Sequence, residues 1–171
     1  MTRPRSASCQ VKRAVLRTSF SLRGYTTKAG ADLYGMGVSA ISSIGEAYAQ
    51  NVREVPAYQQ AAAARGIATM RGYRLSPDDE IRRAVIGRLL CHTVIPKSDI
   101  EREFSVSFDD YFAAELEHLE EPATEGLVVL APNEIRVTPL GRIFIRNVAM
   151  TFDRYLHEQQ MDRRPLFSKT L

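Results

Sequence analysis

From Ser76 onward the chain is punctuated so closely by caps and prolines that few arrangements remain open to it. Ser76-Pro77-Asp78-Asp79 places an N-cap, a proline at the first helical position and acidic residues in the first turn. Proline's missing N–H costs nothing there, and negative charge meets the positive end of the helix dipole. The helix so opened carries Ile81, Val85 and Leu89 and runs to about Thr93, with Pro96 as its breaker. "SDIE" at Ser98–Glu101 reads as a capping box opening a short second helix. "SFDD" at Ser107 opens a third, with Phe108, Tyr111, Phe112, Leu116 and Leu119 at helical spacing and Pro122 as its end. "LVVLAPNEIRVT" reads as a β-hairpin turning at Pro132-Asn133. Thr138-Pro139 then caps a last long helix through Phe144, Val148, Phe152, Tyr155 and Leu156.

Three helices, a hairpin and a further helix make a winged-helix-like order, which invites a DNA-binding reading with the third helix in the major groove. Charge opposes it. Between Ser107 and Glu125 stand Asp109, Asp110, Glu115, Glu117, Glu120, Glu121 and Glu125, with no Lys or Arg, and phosphates would repel a helix of that sign. No nucleic-acid partner is expected, and the third helix reads as part of a packing module with a solvated acidic face.

The first half differs in character. "LYGMGVSAISSIG" from Leu33 is uncharged, and Val38, Ala40 and Ile41 form an apolar run bounded by glycines. That pattern predicts a strand buried on both faces, as in parallel α/β sheets. It is too short and too rich in glycine and serine to cross a bilayer, so no membrane span is expected. "VPAYQQAAAARG" predicts a helix, with Pro56 in its first turn and Gly66 just past its end. "IATMRGYRL" predicts a short strand or extended linker.

The formal net charge of +3 conceals a basic head: Arg3, Arg5, Lys12, Arg13, Arg17, Arg23 and Lys28 lie before Gly30 with no acid among them, so the remainder carries 3 − 7 = −4. Such a head fits a nucleic-acid arm, a mitochondrial transit peptide or out-of-context sequence. Cys9 and Cys91 are too few for an iron–sulfur cluster or a structural zinc site, and His92, His118 and His157 show no metal spacing. Cys91 reads as a small buried apolar residue. No metal site is expected.

"GYTT", "DLYGMGVSAISSIG" and "YAQN", followed by "RGYRLSPDDEIRRAVIGRLLC", "FDDYFAAELEHLEEPATEGLV" and "VTPLGRIFIRNVAMTFDRYL", carry a resemblance from Gly24 to the C-terminus in one register. These strings resemble the oxygen-independent coproporphyrinogen III oxidases (coproporphyrinogen dehydrogenases), radical S-adenosylmethionine enzymes of haem and porphyrin biosynthesis. The resemblance implies an α+β chain: residues 24–75 as the closing edge of an incomplete, TIM-like β/α barrel, and 76–171 as a mostly helical, winged-helix-like C-terminal domain. Residues 1–23 are expected to be a disordered head outside the family; Arg23 stands where the family commonly has glutamine.

The family's chemistry is the oxidative decarboxylation of two propionates of coproporphyrinogen III to the vinyl groups of protoporphyrinogen IX. A [4Fe–4S] cluster held by cysteines in a CxxxCxxC motif cleaves S-adenosylmethionine to start it. This sequence has no such motif, so it is expected to be a C-terminal portion, inactive alone, or else a protein- or tetrapyrrole-binding module of the same fold. Ile41 matches a family position that contacts S-adenosylmethionine and is the one cofactor-binding residue the resemblance implies; a plain core isoleucine is the alternative. Arg71, Arg74, Arg82 and Arg83 suit the carboxylates of a tetrapropionate substrate, or a solvated helix face and strand end. The family implies a cytoplasmic location, a transit peptide a mitochondrial one. An unpaired barrel edge predicts self-association.

Overall fold

The computed structural model describes residues 19–21, 24–26 and 31–156. Strands β1 (Ser19–Ser21) and β2 (Gly24–Thr26) pair antiparallel, with Phe20 opposite Tyr25. Most of the head lies outside the described residues.

Two short strands follow, β3 (Ile41–Ile44) and β4 (Ala47–Asn51), joined by the tight Gly45-Glu46 turn, where Gly45 takes a φ of 53°. A turn that short leaves only antiparallel pairing, and Ile41 faces Gln50 while Ser43 faces Tyr48. The parallel, doubly buried strand expected here is therefore corrected: β3 is antiparallel and no more than half-buried. Its run of small uncharged residues mimicked burial without supplying bulk. Helix α1 (Val55–Arg65) has Pro56 in its first turn, and Gly66 closes it in the left-handed conformation, φ 72°, donating its N–H to Ala62 O. Strand β5 (Thr69–Arg74) returns antiparallel to β4, giving the order β3-β4-β5. Within residues 31–75 the buried apolar side chains are those of Ala40, Ala61 and Ala68, whereas Met36 is 85% exposed and Tyr34 and Ile67 are each 66% exposed. This sheet has no large residue at its centre.

The region after Leu75 is built differently. Ser76 caps helix α2 (Pro77–His92) with a reciprocal box: its hydroxyl accepts from Asp79 N–H, and the Asp79 carboxylate accepts from Ser76 N–H. Thr93 ends the helix in the left-handed conformation. Strand β6 (Val94–Pro96), which periodicity did not reveal, leads into helix α3 (Lys97–Phe104). The expected capping box at Ser98 does not form. Pro96 occupies the N-cap position, the Lys97 N–H donates to Asn133 O, and Glu101 Oε1 accepts from Phe108 N instead.

The third helix is corrected to three pieces, α4 (Phe108–Tyr111), α5 (Ala113–His118) and α6 (Glu120–Thr124). Pro122 does not end it. It sits in the first turn of α6, where no intrahelical donor is required. The hairpin of β7 (Val128–Leu130) and β8 (Glu134–Val137) forms as read, and β6 joins it in the order β6-β8-β7. The last long helix is likewise broken, into a 3-10 turn (Gly141–Phe144), α7 (Ile145–Met150) and a turn at 151–152, closed by Phe152 N–H to Ala149 O, before helix resumes at 154–156.

Val85, Leu89, Ile95, Ile100, Phe108, Phe112, Leu119, Ile135 and Phe152 are fully buried together. Residues 76–156 thus close a core drawn from α2, α3, α4, α7, the joints at Phe112 and Leu119 and the sheet, with Leu116 and Ala123 of α5 and α6 packed against it and 31–75 outside it. The acids Asp109, Asp110, Glu117, Glu120 and Glu121 stand exposed on α4–α6. Cys91 is half-buried, and burial pushes its thiol up. Among the described residues no helix is long and apolar enough to cross a membrane.

Candidate functional site

Register decides which side chains share a face of the β3-β4-β5 sheet, because residues directly opposite each other point the same way. Ile41 opposes Gln50 and Gln50 opposes Arg71; one step along, Ser43 opposes Tyr48 and Tyr48 opposes Tyr73. One face therefore carries an Ile41–Gln50–Arg71 row beside a Ser43–Tyr48–Tyr73 row. Arg71 Nε donates to Gln50 Oε1 at 2.8 Å. The register slips between Gln50 and Asn51, where Met70 is the extra residue, so Arg71 follows directly on a bulge. Bulges of this kind re-aim the next side chain.

The opposite face is closed by the glycine-spaced segment. Gly35 N–H donates to Ser42 Oγ at 3.0 Å, and Asn51 Nδ2 donates to the carbonyls of Gly35 and Gly37 at 3.2 and 3.0 Å. Gly37 N–H donates to the Tyr58 hydroxyl on α1. A Cβ on Gly35 would lie 2.7 Å from Ile41 O, so only glycine lets this loop lie against β3. The segment that looked like a buried strand is a strut behind Ile41, and Ile41 is half-exposed on the other side.

At the end of the Ile41 face a polar cluster ties the sheet to the helical region. Tyr73 and Tyr155 hydroxyls donate to the two oxygens of Asp79, at 3.0 and 2.8 Å, and contact each other. Burial alone would push the Asp79 carboxyl up. Bonds from Ser76 N–H, the Ser76 hydroxyl, Tyr155 and Tyr73 outweigh that and hold it at about 2, below an ordinary 3.8. A group depressed on folding adds stability above its unfolded value and loses it as pH falls. The window here is about pH 4 down to 2. Asp79→Asn is expected to lower stability by about 1–2 kcal/mol at neutral pH and to flatten the acid limb in that window, as urea titrations at stepped pH would show.

The neighbouring carboxylate, Asp78, accepts from Arg82 Nε at 2.9 and 3.0 Å, from Arg154 at 2.7 Å and from Tyr111 at 2.6 Å. Burial and the Asp78 charge push the Tyr111 hydroxyl up to about 12. Arg82 also donates to Glu115 at 2.6 Å and to Phe152 O at 3.1 Å. Arg82 is thus a structural cation and is unavailable to a ligand. Arg74 reaches Glu46 at 3.6 Å, and Arg83 leans on Gly45 O. Of the four arginines picked out in the sequence, Arg71 alone shares the Ile41 face. Gln50 and Tyr48 were missed there; strict alternation through Ala47–Asn51 was the available signal.

A small antiparallel sheet with an open face is joined here to a closed helix-and-hairpin region, a mixed α+β architecture, and residues 75–144 match the family model described as the HemN C-terminal domain. The chain is homologous to the C-terminal region of oxygen-independent coproporphyrinogen III oxidase (HemN). It is 44% identical to that protein from Escherichia coli (strain K12) over 160 residues, 94% of this chain and 34% of the relative. The Pseudomonas aeruginosa protein is 43% identical over 80% of this chain and 30% of the relative. A solved structure of the Escherichia coli coproporphyrinogen III oxidase (HemN), described as a radical SAM enzyme, superposes with a TM-score of 0.78 at 46% identity, covering 81% of this chain and 32% of that one. The chain therefore spans about a third of the length of the relatives it matches.

The match with the Escherichia coli K12 protein leaves only 171 − 160 = 11 residues outside it, so the similarity reaches into the 23-residue head that was read as foreign to the family. The cluster of radical SAM enzymes needs three cysteine thiolates, and this sequence holds two cysteines. Among the described residues no three His, Cys, Asp or Glu side chains converge on one point. The residues present do not fit such a cluster.

Proposed function

We propose that this chain serves as the C-terminal third of an oxygen-independent coproporphyrinogen III oxidase acting in porphyrin biosynthesis. In this reading its sheet docks onto the barrel of the rest of such an enzyme and its helical region covers that barrel. Cluster and S-adenosylmethionine chemistry then belong to the part that carries the cysteines, and Ile41 meets the S-adenosylmethionine from this side. The observation that carries the reading is the unfinished sheet of residues 31–75. It lies within the stretch that matches the relatives, buries only alanines, and leaves Tyr34, Met36, Ile67 and Met70 exposed. Apolar surface left open on that scale marks an interaction face. The β5 edge, unpaired among the described residues, continues that face and is expected to lead to self-association when no barrel covers it. On the same reading the location is the cytoplasm.

The test is co-expression of this chain with the N-terminal two thirds of the Escherichia coli enzyme, followed by an anaerobic assay of coproporphyrinogen III decarboxylation with S-adenosylmethionine. Activity is expected only from the pair, which should co-elute on size exclusion. Cleavage of S-adenosylmethionine by this chain alone, or no association with the larger piece, would overturn the reading. A second reading, a protein- or tetrapyrrole-binding module without catalysis, is favoured by the self-contained core of residues 76–156. It predicts tetrapyrrole or partner binding that the larger piece does not alter.

A further inference from the structure

Arg71 is the terminus of the Ile41 row, and its setting differs from that of the other arginines of the sheet and of α2. Its Nε is held by Gln50, its strand position is set by the Met70 bulge, and among the described residues no carboxylate lies within ion-pair reach of it. The guanidinium therefore presents its two terminal nitrogens as a fork whose orientation the Gln50 bond restrains. A fork of this kind pairs with a carboxylate through two parallel hydrogen bonds, and fixing it beforehand removes part of the ordering cost of binding. Next to it along the two rows lie apolar and aromatic surfaces, Ile41 and Tyr48, with Tyr73 anchored at the far end by Asp79.

We infer that Arg71, positioned by Gln50, is a carboxylate-binding residue for a ligand with an apolar or aromatic body, the carboxylate resting on the fork and the body over Tyr48, beside the position where Ile41 meets the S-adenosylmethionine. The inference deepens the function proposed above and rests on it for the identity of the probe. Arg74, in contact with Glu46 on the other face, and Arg82, enclosed by Asp78 and Glu115, are excluded from this role by their partners.

The probe is coproporphyrin III, the air-stable oxidised form of the compound in the relatives' name, titrated against the full chain by quenching of porphyrin fluorescence. Arg71→Met is expected to weaken binding by roughly tenfold to a hundredfold, the range of a hydrogen bond to a charged group. Arg71→Lys should recover only part of this, because a point charge replaces the fork. Arg74→Met, on the opposite face, should stay within about twofold of the starting chain, and the tetramethyl ester of the probe should be insensitive to Arg71→Met. Thermal melts of each variant check that the exposed substitution leaves the fold intact.

Equal binding by the parent chain and Arg71→Met, equal losses for Arg71→Met and Arg74→Met, or no porphyrin binding by the parent chain would each overturn the inference. The co-expression assay separates the two ideas. If the paired polypeptides decarboxylate substrate while Arg71→Met changes nothing in the titration, the carboxylate position fails and the proposed function stands. If the pair is inactive while the Arg71 dependence holds, the reverse is true.

Discussion

Phe112→Ala is expected to destabilise the chain by about 3–5 kcal/mol, lowering the thermal midpoint by roughly 6–20 °C. Phe112 is fully buried at the joint between α4 and α5, where its ring meets Phe108 at 4.9 Å, Tyr111 at 5.0 Å and Phe152 at 5.4 Å between centroids. Truncation removes all three contacts and opens a cavity walled by α4 on one side and by the turn after α7 on the other, so the site cannot collapse by moving one of them. It also strips the ring from beneath the Arg82 guanidinium, 5.5 Å from its centroid. That cation is enclosed by Asp78, Glu115 and Phe152 O, so water entering the cavity would reach a polar cluster as well as an apolar one. Phe144→Ala is the comparison: its ring is 45% exposed, and the expected loss is about 1 kcal/mol or less. Urea unfolding followed by circular dichroism distinguishes the two, and equal losses would mean that the core is not centred on Phe112.

The parts of the fold that could be read from the sequence are those decided within a few residues. Ser76-Pro77-Asp78-Asp79 needed nothing beyond its own turn, and the structure forms the cap there with both reciprocal bonds. Pro132-Asn133 and Gly66 likewise act locally. Ser98 failed because the helix starts ahead of it: Pro96 takes the N-cap position, Asn133 O accepts the Lys97 N–H, and the Glu101 carboxylate that would have closed the box accepts from Phe108 N–H instead. Strand β6 was invisible because three residues carry no periodicity, and its pairing with β8 joins Val94 to Arg136 across the module. At the candidate site Ile41 was visible through resemblance, but its row was not. Gln50 and Arg71 join it only once both hairpin registers are fixed, and one slip would send Arg71 to the other face. The Asp79 cluster draws its second tyrosine from 76 residues away, a separation at which sequence pattern says nothing about contact.

Gly141→Ala should cost about 3 kcal/mol, the upper end of the range for overpacking, and lower the melting midpoint by roughly 6–12 °C. The loss comes from space rather than backbone freedom, since Gly141 has no positive φ. A methyl group there would sit 1.9 Å from Leu127 O, 2.8 Å from its carbonyl carbon and 3.0 Å from Val137 Cγ1. The Leu127 carbonyl is not free to withdraw. It accepts the Thr138 N–H at 3.0 Å, and Thr138 in turn receives the Gly141 N–H on its hydroxyl and donates that hydroxyl to Gly126 O at 2.7 Å. Moving the carbonyl therefore breaks the bonds by which the hairpin holds the start of the 3-10 turn. Gly87, in the middle of α2 with nothing within 4 Å of its missing Cβ, gives the opposite sign: Gly87→Ala should stabilise by about 0.5–1 kcal/mol, because alanine loses less backbone entropy in a helix. Paired melts of the two variants test the packing at both sites, and a neutral Gly141→Ala would show that the last segment does not press against the hairpin.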